Sequence, residues 1–395
     1  MFEEIDGFSK WEVIGKGTYG EVFKTSNLTT GEQYAIKRFY SQNADEGVTV
    51  TTLRELKVFS EIQHPNVVNC HGVFLDSTDS LCIAMDLMQT DIEQFVRNSS
   101  YISKDDRLYI FKLMLEGLSA LHAVNYVHRD IKLNNYLLSR ESDVVLTDFS
   151  FTINTSDADI CIMTPQVNAK NHRAPELLLG AKVYTEDTDI WALGCCFAEL
   201  LLKNPLFPNE GSDISLLSHI LRLIGSPNEE SWESVDNLPS FTLFKRYLGR
   251  DKYRNKLSER FSGVSAEEVD LLSRMLQWDP NSRSSAEELL ELPIFDNVAK
   301  QNLDMTYIRE TEVIAPPSTI RGMSSKFAKL LQFTPRTVPN ETMMQLSPIS
   351  VIPVGKREGI FGNPHSNVSK VLFRDPPKLD DKGPKMKEQR VISFD

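Results

Sequence analysis

His128-Arg129-Asp130-Ile131-Lys132-Leu133-Asn134-Asn135-Tyr136-Leu137-Leu138, followed after a short apolar run by Asp148-Phe149-Ser150, is the stretch that decides how the rest of the chain is read. Its first part supplies a carboxylate, an ammonium and a carboxamide at fixed offsets, and a second carboxylate follows thirteen residues after Asn135. Asp130 can accept or orient a hydroxyl proton, Lys132 can neutralise charge on a transferring phosphoryl group, and Asn135 with Asp148 can hold Mg²⁺. Together these groups meet what phosphoryl transfer from a metal-bound nucleotide requires. Taken singly, each reads as an ordinary surface or core residue; the ordered set carries the meaning.

Working outward, residues 11–23 alternate apolar and polar side chains on both sides of a G-x-G-x-x-G formed by Gly15, Gly17 and Gly20. That pattern predicts strand, glycine turn and strand, not the strand-to-helix context of a dinucleotide fold. Glycines there let backbone amides come close to phosphates. Tyr34-Ala35-Ile36-Lys37 places one cation seventeen residues after Gly20, on a strand. Apolar residues near helical spacing then predict a helix over residues 51–62, with the Thr51-Thr52 pair able to cap its start. Glu55 on that helix could face inward and orient Lys37, and His64-Pro65 ends the helix. Residues 108–122 read as a long amphipathic helix.

A chain of 395 residues exceeds the usual single-core size, so two lobes and an appendage are expected. Its 41% apolar and 25% charged content is ordinary for a soluble protein, which places it among globular chains. No run is long enough for a membrane span, and the first residues are acidic where a signal peptide would be basic, so an intracellular protein is expected. The five cysteines lack C-x-x-C spacing and read as buried free thiols. Residues 301–395 carry 14 Lys and Arg against 10 Asp and Glu, net +4, leaving −16 for residues 1–300. An acidic body disfavours non-specific nucleic-acid binding. The same segment holds 10 of the 19 prolines and reads as an extended or disordered tail.

The H-R-D-x-x-x-x-N stretch, the Asp148-Phe149 pair, the glycine motif spaced to Lys37 and Ala174-Pro175-Glu176 resemble the eukaryotic protein kinases over about residues 8–298. The resemblance implies an α+β, bilobal kinase fold. A small antiparallel β-sheet lobe with one key helix would occupy residues 1–87, a larger mainly helical lobe residues 88–298, and a tail residues 299–395. It implies ATP and Mg²⁺ as cofactors. Asp130, Lys132, Lys37 and Glu55 become the catalytic set, with Lys37 pairing the α- and β-phosphates, and Asn135 and Asp148 become the metal ligands. Gly15, Lys16, Gly17 and Gly20 would cover the phosphates. Ile14, Val22, Ala35 and Leu137 would wall the adenine pocket, with Met85 as gatekeeper, Asp86 to Met88 as hinge and Asp91 as a ribose-side contact. Arg283 would pair the buried Glu176.

Glu46-Gly47-Val48-Thr49-Val50-Thr51-Thr52-Leu53-Arg54-Glu55-Leu56 resembles the cyclin-contacting helix of cyclin-dependent kinases, nearest the cyclin-dependent-kinase-activating (transcription factor IIH) subgroup. The resemblance implies a serine/threonine protein kinase acting in the cell cycle or transcription, in the nucleus and/or cytoplasm. Its partners would be a cyclin-like regulatory subunit, an assembly factor and protein substrates such as other cyclin-dependent kinases or the RNA polymerase II tail, with no direct nucleic-acid or membrane partner. Thr164 stands at the activating phosphosite, with Arg54 and Arg129 as phosphate-binding cations and Ile153 where a third is usual, which predicts weaker dependence on phosphorylation. Ser150 stands where glycine is usual, Ala169 lacks the usual hydroxyl, and Asn171 and His172 replace two aromatics, putting proline-directed specificity in question. These departures motivate the alternative of a pseudokinase scaffold that binds nucleotide or a cyclin without efficient catalysis.

Overall fold

The computed structural model describes residues 8–16, 20–40, 48–76, 78, 80–156, 170–183, 185–208, 212–227, 232, 235–248, 252–305 and 351–353. The alternation read at the N-terminus folds into β1 (Glu12–Lys16) and β2 (Gly20–Ser26), paired antiparallel with Lys16 opposite Glu21. β3 (Gln33–Phe39) follows, with Lys37 opposite Val22. Because side chains alternate along a strand, Ala35 and Lys37 share one face of β3 while Tyr34 and Ile36 take the other. The latter pair packs into a small outer core with Phe8, Trp11, Phe23 and Phe74.

The helix expected over 51–62 is α1 (Val50–Glu61), and its cap is Thr49, whose Oγ1 accepts from the Thr52 amide at 3.3 Å, not the following threonine pair. β4 (Cys70–Leu75) and β5 (Leu81–Asp86) complete the upper sheet, in the order β1-β2-β3-β5-β4.

β6 (Thr90–Asp91) and α2 (Ile92–Asn98) lead into the lower lobe and its long helix, α3 (Lys104–His122). This helix starts four residues before the expected 108, because Ser103 and Asp106 form a reciprocal capping box. β7 (Tyr126–Val127), β8 (Tyr136–Leu138), β9 (Val144–Leu146) and β10 (Ile153–Asn154) are short. β8 lies between β6 and β9, and β10 pairs with β7, so two small ladders hold both ends of the polar loop between β7 and β8.

Beyond them come α4 (Pro175–Leu178), α5 (Asp187–Leu202), α6 (Asp213–Ile224), α7 (Phe241–Leu248), α8 (Leu257–Arg260), α9 (Ala266–Met275) and α10 (Ala286–Leu290). α5 is apolar nearly all round and is therefore central, carrying Trp191 and the buried thiols Cys195 and Cys196. Cys82 is also buried and Cys70 half-buried, and all four are free thiols. No helix among the described residues is long and apolar enough to cross a membrane.

Packing continues past residue 298: the Leu303 amide donates to Ser142 Oγ at 2.9 Å, and the Leu303 side chain is buried. Farther on, β11 (Val351–Pro353) lies parallel to β4, Val351 opposite Val73, as a sixth strand. The chain divides into one unit over Met1–Val354 and a second over Gly355–Asp395, which lies outside the described residues. Gly17, Cys161, Thr164 and Ala169, and the tail at 306–350, also lie outside them.

Candidate active site

Lys37 reaches the site from the middle of β3, and Glu55 from the inner face of α1, where it is 1% exposed. Lys37 Nζ donates to Glu55 Oε1 at 2.6 Å and Oε2 at 2.8 Å, and lies 3.7 Å from Asp148 Oδ1. Burial works against the ammonium, but the two carboxylates outweigh it and hold the Lys37 pKa above its ordinary value. Burial likewise favours a neutral Asp148. Lys37, a hydrogen bond from Ser150, and nearby His128 and Lys132 overcome that and hold its carboxyl below the ordinary value. The site therefore keeps a charged lysine and an ionised aspartate at neutral pH.

The loop between β7 and β8 gathers the second group. Asn135 Nδ2 donates to the Asp130 carbonyl at 2.7 Å and to Asp130 Oδ2 at 3.1 Å, and Lys132 Nζ lies 2.8 Å from the same Oδ2. With its nitrogen committed, Asn135 keeps its carboxamide oxygen for a cation. Asp148 adds a carboxylate; these hard oxygens suit Mg²⁺, which takes one or two protein ligands and completes its shell with water and phosphate. Asp189, buried on α5, anchors the loop by accepting from the His128 amide at 2.7 Å and the Arg129 amide at 2.9 Å. His122 Nε2 meets the same carboxylate at 3.1 Å. Arg129 has φ 67°, a conformation that such anchoring must hold, and its Nε donates to the Phe151 carbonyl at 2.7 Å.

The residues expected to wall the pocket lie on the strands beside this cluster. Ala35 lies opposite Met85 across β3 and β5, Gly15 opposite Val22 across β1 and β2, and Leu137 sits on β8. Ile14 is the most exposed of them, at 44%. Asp86, expected to begin the hinge, ends β5 and bonds its side chain to His71 Nε2 at 2.5 Å; Gln89 then donates its amide to the Leu138 carbonyl at 2.8 Å. Lys16 pairs across the turn with Glu21 at 2.8 Å. Asp91, expected beside the ribose, caps α2: its two carboxylate oxygens accept from the Gln94 amide at 2.8 Å and from Gln94 Nε2 at 2.7 Å.

The structural pair is as expected. Arg283 donates to both Glu176 oxygens, at 2.9 and 2.7 Å, and lies 5.2 Å over the Trp191 ring, so a buried carboxylate is fully met. Ile153 is buried in β10 opposite Val127 and puts no cation beside Arg129. His172 is buried too; its Nε2 lies 3.2 Å from Glu199 Oε1, an ion-pair separation whose angle does not make a hydrogen bond. Sequence reasoning marked Ser150 as a departure from the usual glycine and did not see its hydroxyl, which bonds Asp148 Oδ1 at 2.9 Å. It also missed the His71–Asp86 pair, since neither residue stands in a recognisable motif.

A bilobal fold with a lysine–glutamate pair above an aspartate–lysine–asparagine loop defines a protein kinase, and the family description "Protein kinase domain" matches residues 8–295. The chain belongs to that family. It is 35% identical to cyclin-dependent kinase 7 of Dictyostelium discoideum over 302 residues, covering 75% of this chain and 81% of the relative. It is 37% identical to cyclin-dependent kinase D-1 of Arabidopsis thaliana over 287 residues, covering 72% and 70%. Among solved structures, a chain of the yeast RNA Pol II CTD kinase CTDK-1 complex aligns with a TM-score of 0.68 at 26% identity, covering 76% of this chain and 96% of that one. The protein is a serine/threonine protein kinase of the cyclin-dependent type. The pseudokinase alternative finds no support in these relatives.

Proposed function

We propose that the cleft binds ATP with Mg²⁺ and passes the terminal phosphoryl group to a serine or threonine hydroxyl of a protein, with a cyclin-like subunit seated on α1. The observation that carries this is the lysine that bonds Glu55 twice while standing 3.7 Å from Asp148 Oδ1. Lys37 is thereby fixed in direction and charge for the phosphates, and Asp148 and Asn135 offer oxygens for the metal. When bound, Mg²⁺ neutralises charge on the phosphoryl oxygens. Asp130 takes Lys132 and Asn135 on Oδ2, which leaves Oδ1 to orient and accept the proton of the substrate hydroxyl. Lys132, anchored there, faces the developing charge.

The Lys37–Glu55 pair is made within the single chain, so a cyclin would hold α1 inward more than swing it there. Val50 and Leu53, exposed three residues apart on that helix, offer it an apolar foothold. The substrates we infer are other cyclin-dependent kinases, which the sequence resemblance implies, or the RNA polymerase II tail, which the name of the yeast CTD kinase suggests, with nucleus or cytoplasm as the compartment and an assembly factor as a further partner. Thr164 is the proposed phosphosite, with Arg54 and Arg129 as its cations; phosphopeptide mapping of 157–169 from the active complex tests it.

The deciding experiment follows ³²P transfer by the purified chain with and without cyclin subunits. Asp148→Asn is expected to lower turnover on the order of 10³-fold or more. Undiminished transfer by that variant would remove Asp148 from the metal site and sink the reading.

A further inference from the structure

Asp148 stands in the left-handed region, φ 62° and ψ 73°, where a non-glycine residue persists only if its surroundings hold it. Three restraints surround it. Phe149 is fully buried, with its ring edge-on to Phe59 of α1 and to His128 of the loop, each at 5.6 Å. The turn Phe149–Phe151 closes with the Thr152 amide donating to the Phe149 carbonyl at 3.0 Å. Ser150, 1% exposed, donates its hydroxyl to Asp148 Oδ1 at 2.9 Å.

Only the last of these acts on the carboxylate itself. Oδ1 thus meets two donors from the chain, the Ser150 hydroxyl at 2.9 Å and the Lys37 ammonium at 3.7 Å. Among the described residues, both contacts fall on Oδ1 and no donor bonds Oδ2. A carboxylate held by one oxygen has its rotation about the Cβ–Cγ bond restricted, so the other oxygen keeps one direction. Ser150 does not have positive φ, so the backbone there has no need of glycine. The side chain is accommodated without strain and adds a donor that glycine would lack.

We propose that Ser150 is a positioning residue for the metal site: its hydroxyl pins one oxygen of Asp148 and thereby presents the other to Mg²⁺. The inference rests on Asp148 being a metal ligand. Partners that orient a ligand from behind commonly change metal affinity by about 10–100-fold when removed.

The test uses the full chain, adenylyl imidodiphosphate as nucleotide and Mn²⁺ as the spin-visible stand-in for Mg²⁺. Ser150→Ala and Ser150→Gly are expected to weaken Mn²⁺ binding, read by electron paramagnetic resonance, by about 10-fold. They should raise the Mg²⁺ concentration at half-maximal velocity by a similar factor, while metal-free nucleotide affinity is kept. Ser150→Thr, which restores a hydroxyl, is expected to recover most of the loss. Unchanged Mn²⁺ affinity in both hydroxyl-free variants would overturn the proposal, as would a threonine variant no better than alanine. Asp148→Asn separates the two levels. If it leaves Mn²⁺ binding intact, the metal-ligand reading fails; if it abolishes binding while Ser150→Ala does not change it, the positioning role alone fails.

Discussion

A methyl group added at Gly20 would sit 2.2 Å from the Arg38 carbonyl oxygen and 3.2 Å from the Phe39 Cα, both on the neighbouring strand β3. At Gly15 the nearest atom would be Val22 Cβ at 3.8 Å, an ordinary contact. Both glycines belong to one motif, yet sheet packing demands the first and not the second. Gly20→Ala should therefore destabilise the folded chain by about 1–3 kcal/mol, in the range of overpacking, whether or not nucleotide is present. Gly15→Ala should stay within about 0.5 kcal/mol of the parent. Thermal melts without nucleotide measure both, and equal losses would contradict the packing account. The motif was legible in the sequence; this division of labour was not, because it depends on how closely β3 passes. The same holds for short polar side chains. Lys37, Glu55, Asp130 and Asp148 were readable as charges, and Asn135 as a carboxamide, at fixed spacing, whereas Asp91 and Ser150 could each bond locally or to a ligand. Asp91 took the helix cap and Ser150 the neighbouring carboxylate.

Helices α1 and α9 each join two parts of the molecule through a carboxylate. On α1, Glu55 faces inward while Leu53 stays 42% exposed, so an aspartate at 53 leaves the inner face alone. Leu53→Asp is expected to reduce cyclin pull-down several-fold with an unchanged melting temperature; full retention of binding would place the partner elsewhere. On α9, Glu268 is buried, caps its own helix with Ser265, and meets Arg107 of α3 through Nε at 2.5 Å and Nη2 at 3.1 Å. Burial opposes its charge, but Arg107 and Ser265 prevail and the pKa falls below the ordinary 4.5. A carboxylate lowered on folding stabilises the native state above its unfolded pKa and loses that contribution as pH falls through the folded value. The stability advantage of the parent over Glu268→Gln should thus be full at neutral pH and shrink below about 4.5. Urea midpoints from pH 3 to 7 measure it, and a gap independent of pH would refute the ion pair. The helices were legible from apolar spacing, but neither the α3 start at Lys104 nor this clamp was, since 161 residues separate its ends.

At the scale of the whole chain, the packed body and the domain expected from the motifs do not end together. The resemblance places the boundary near residue 298, and prolines and positive charge gather from about residue 300 on. Leu303, an isolated apolar residue in a polar run, has no periodicity to announce it, yet it is buried and its amide satisfies Ser142 Oγ. Lys300 adds an exposed pair with Asp143 at 2.7 Å, worth little by itself. Cutting the chain after residue 298 would remove a core side chain and leave the fully buried Ser142 hydroxyl without this donor. Such a truncation is expected to cost about 2–4 kcal/mol, combining a lost core leucine with an unmet polar group. Cutting after residue 305 should keep that stability and instead free the outer edge of β4, which β11 covers. An unpaired strand edge invites pairing with other chains, so this shorter protein should self-associate more readily at high concentration. Urea unfolding of the two truncations, with Leu303→Ala in the full chain as a third arm, separates the effects. Equal midpoints for the cuts at 298 and 305 would show that residues 299–305 add nothing to the fold. A monomeric 305 form at all concentrations would show that β11 does not guard the edge.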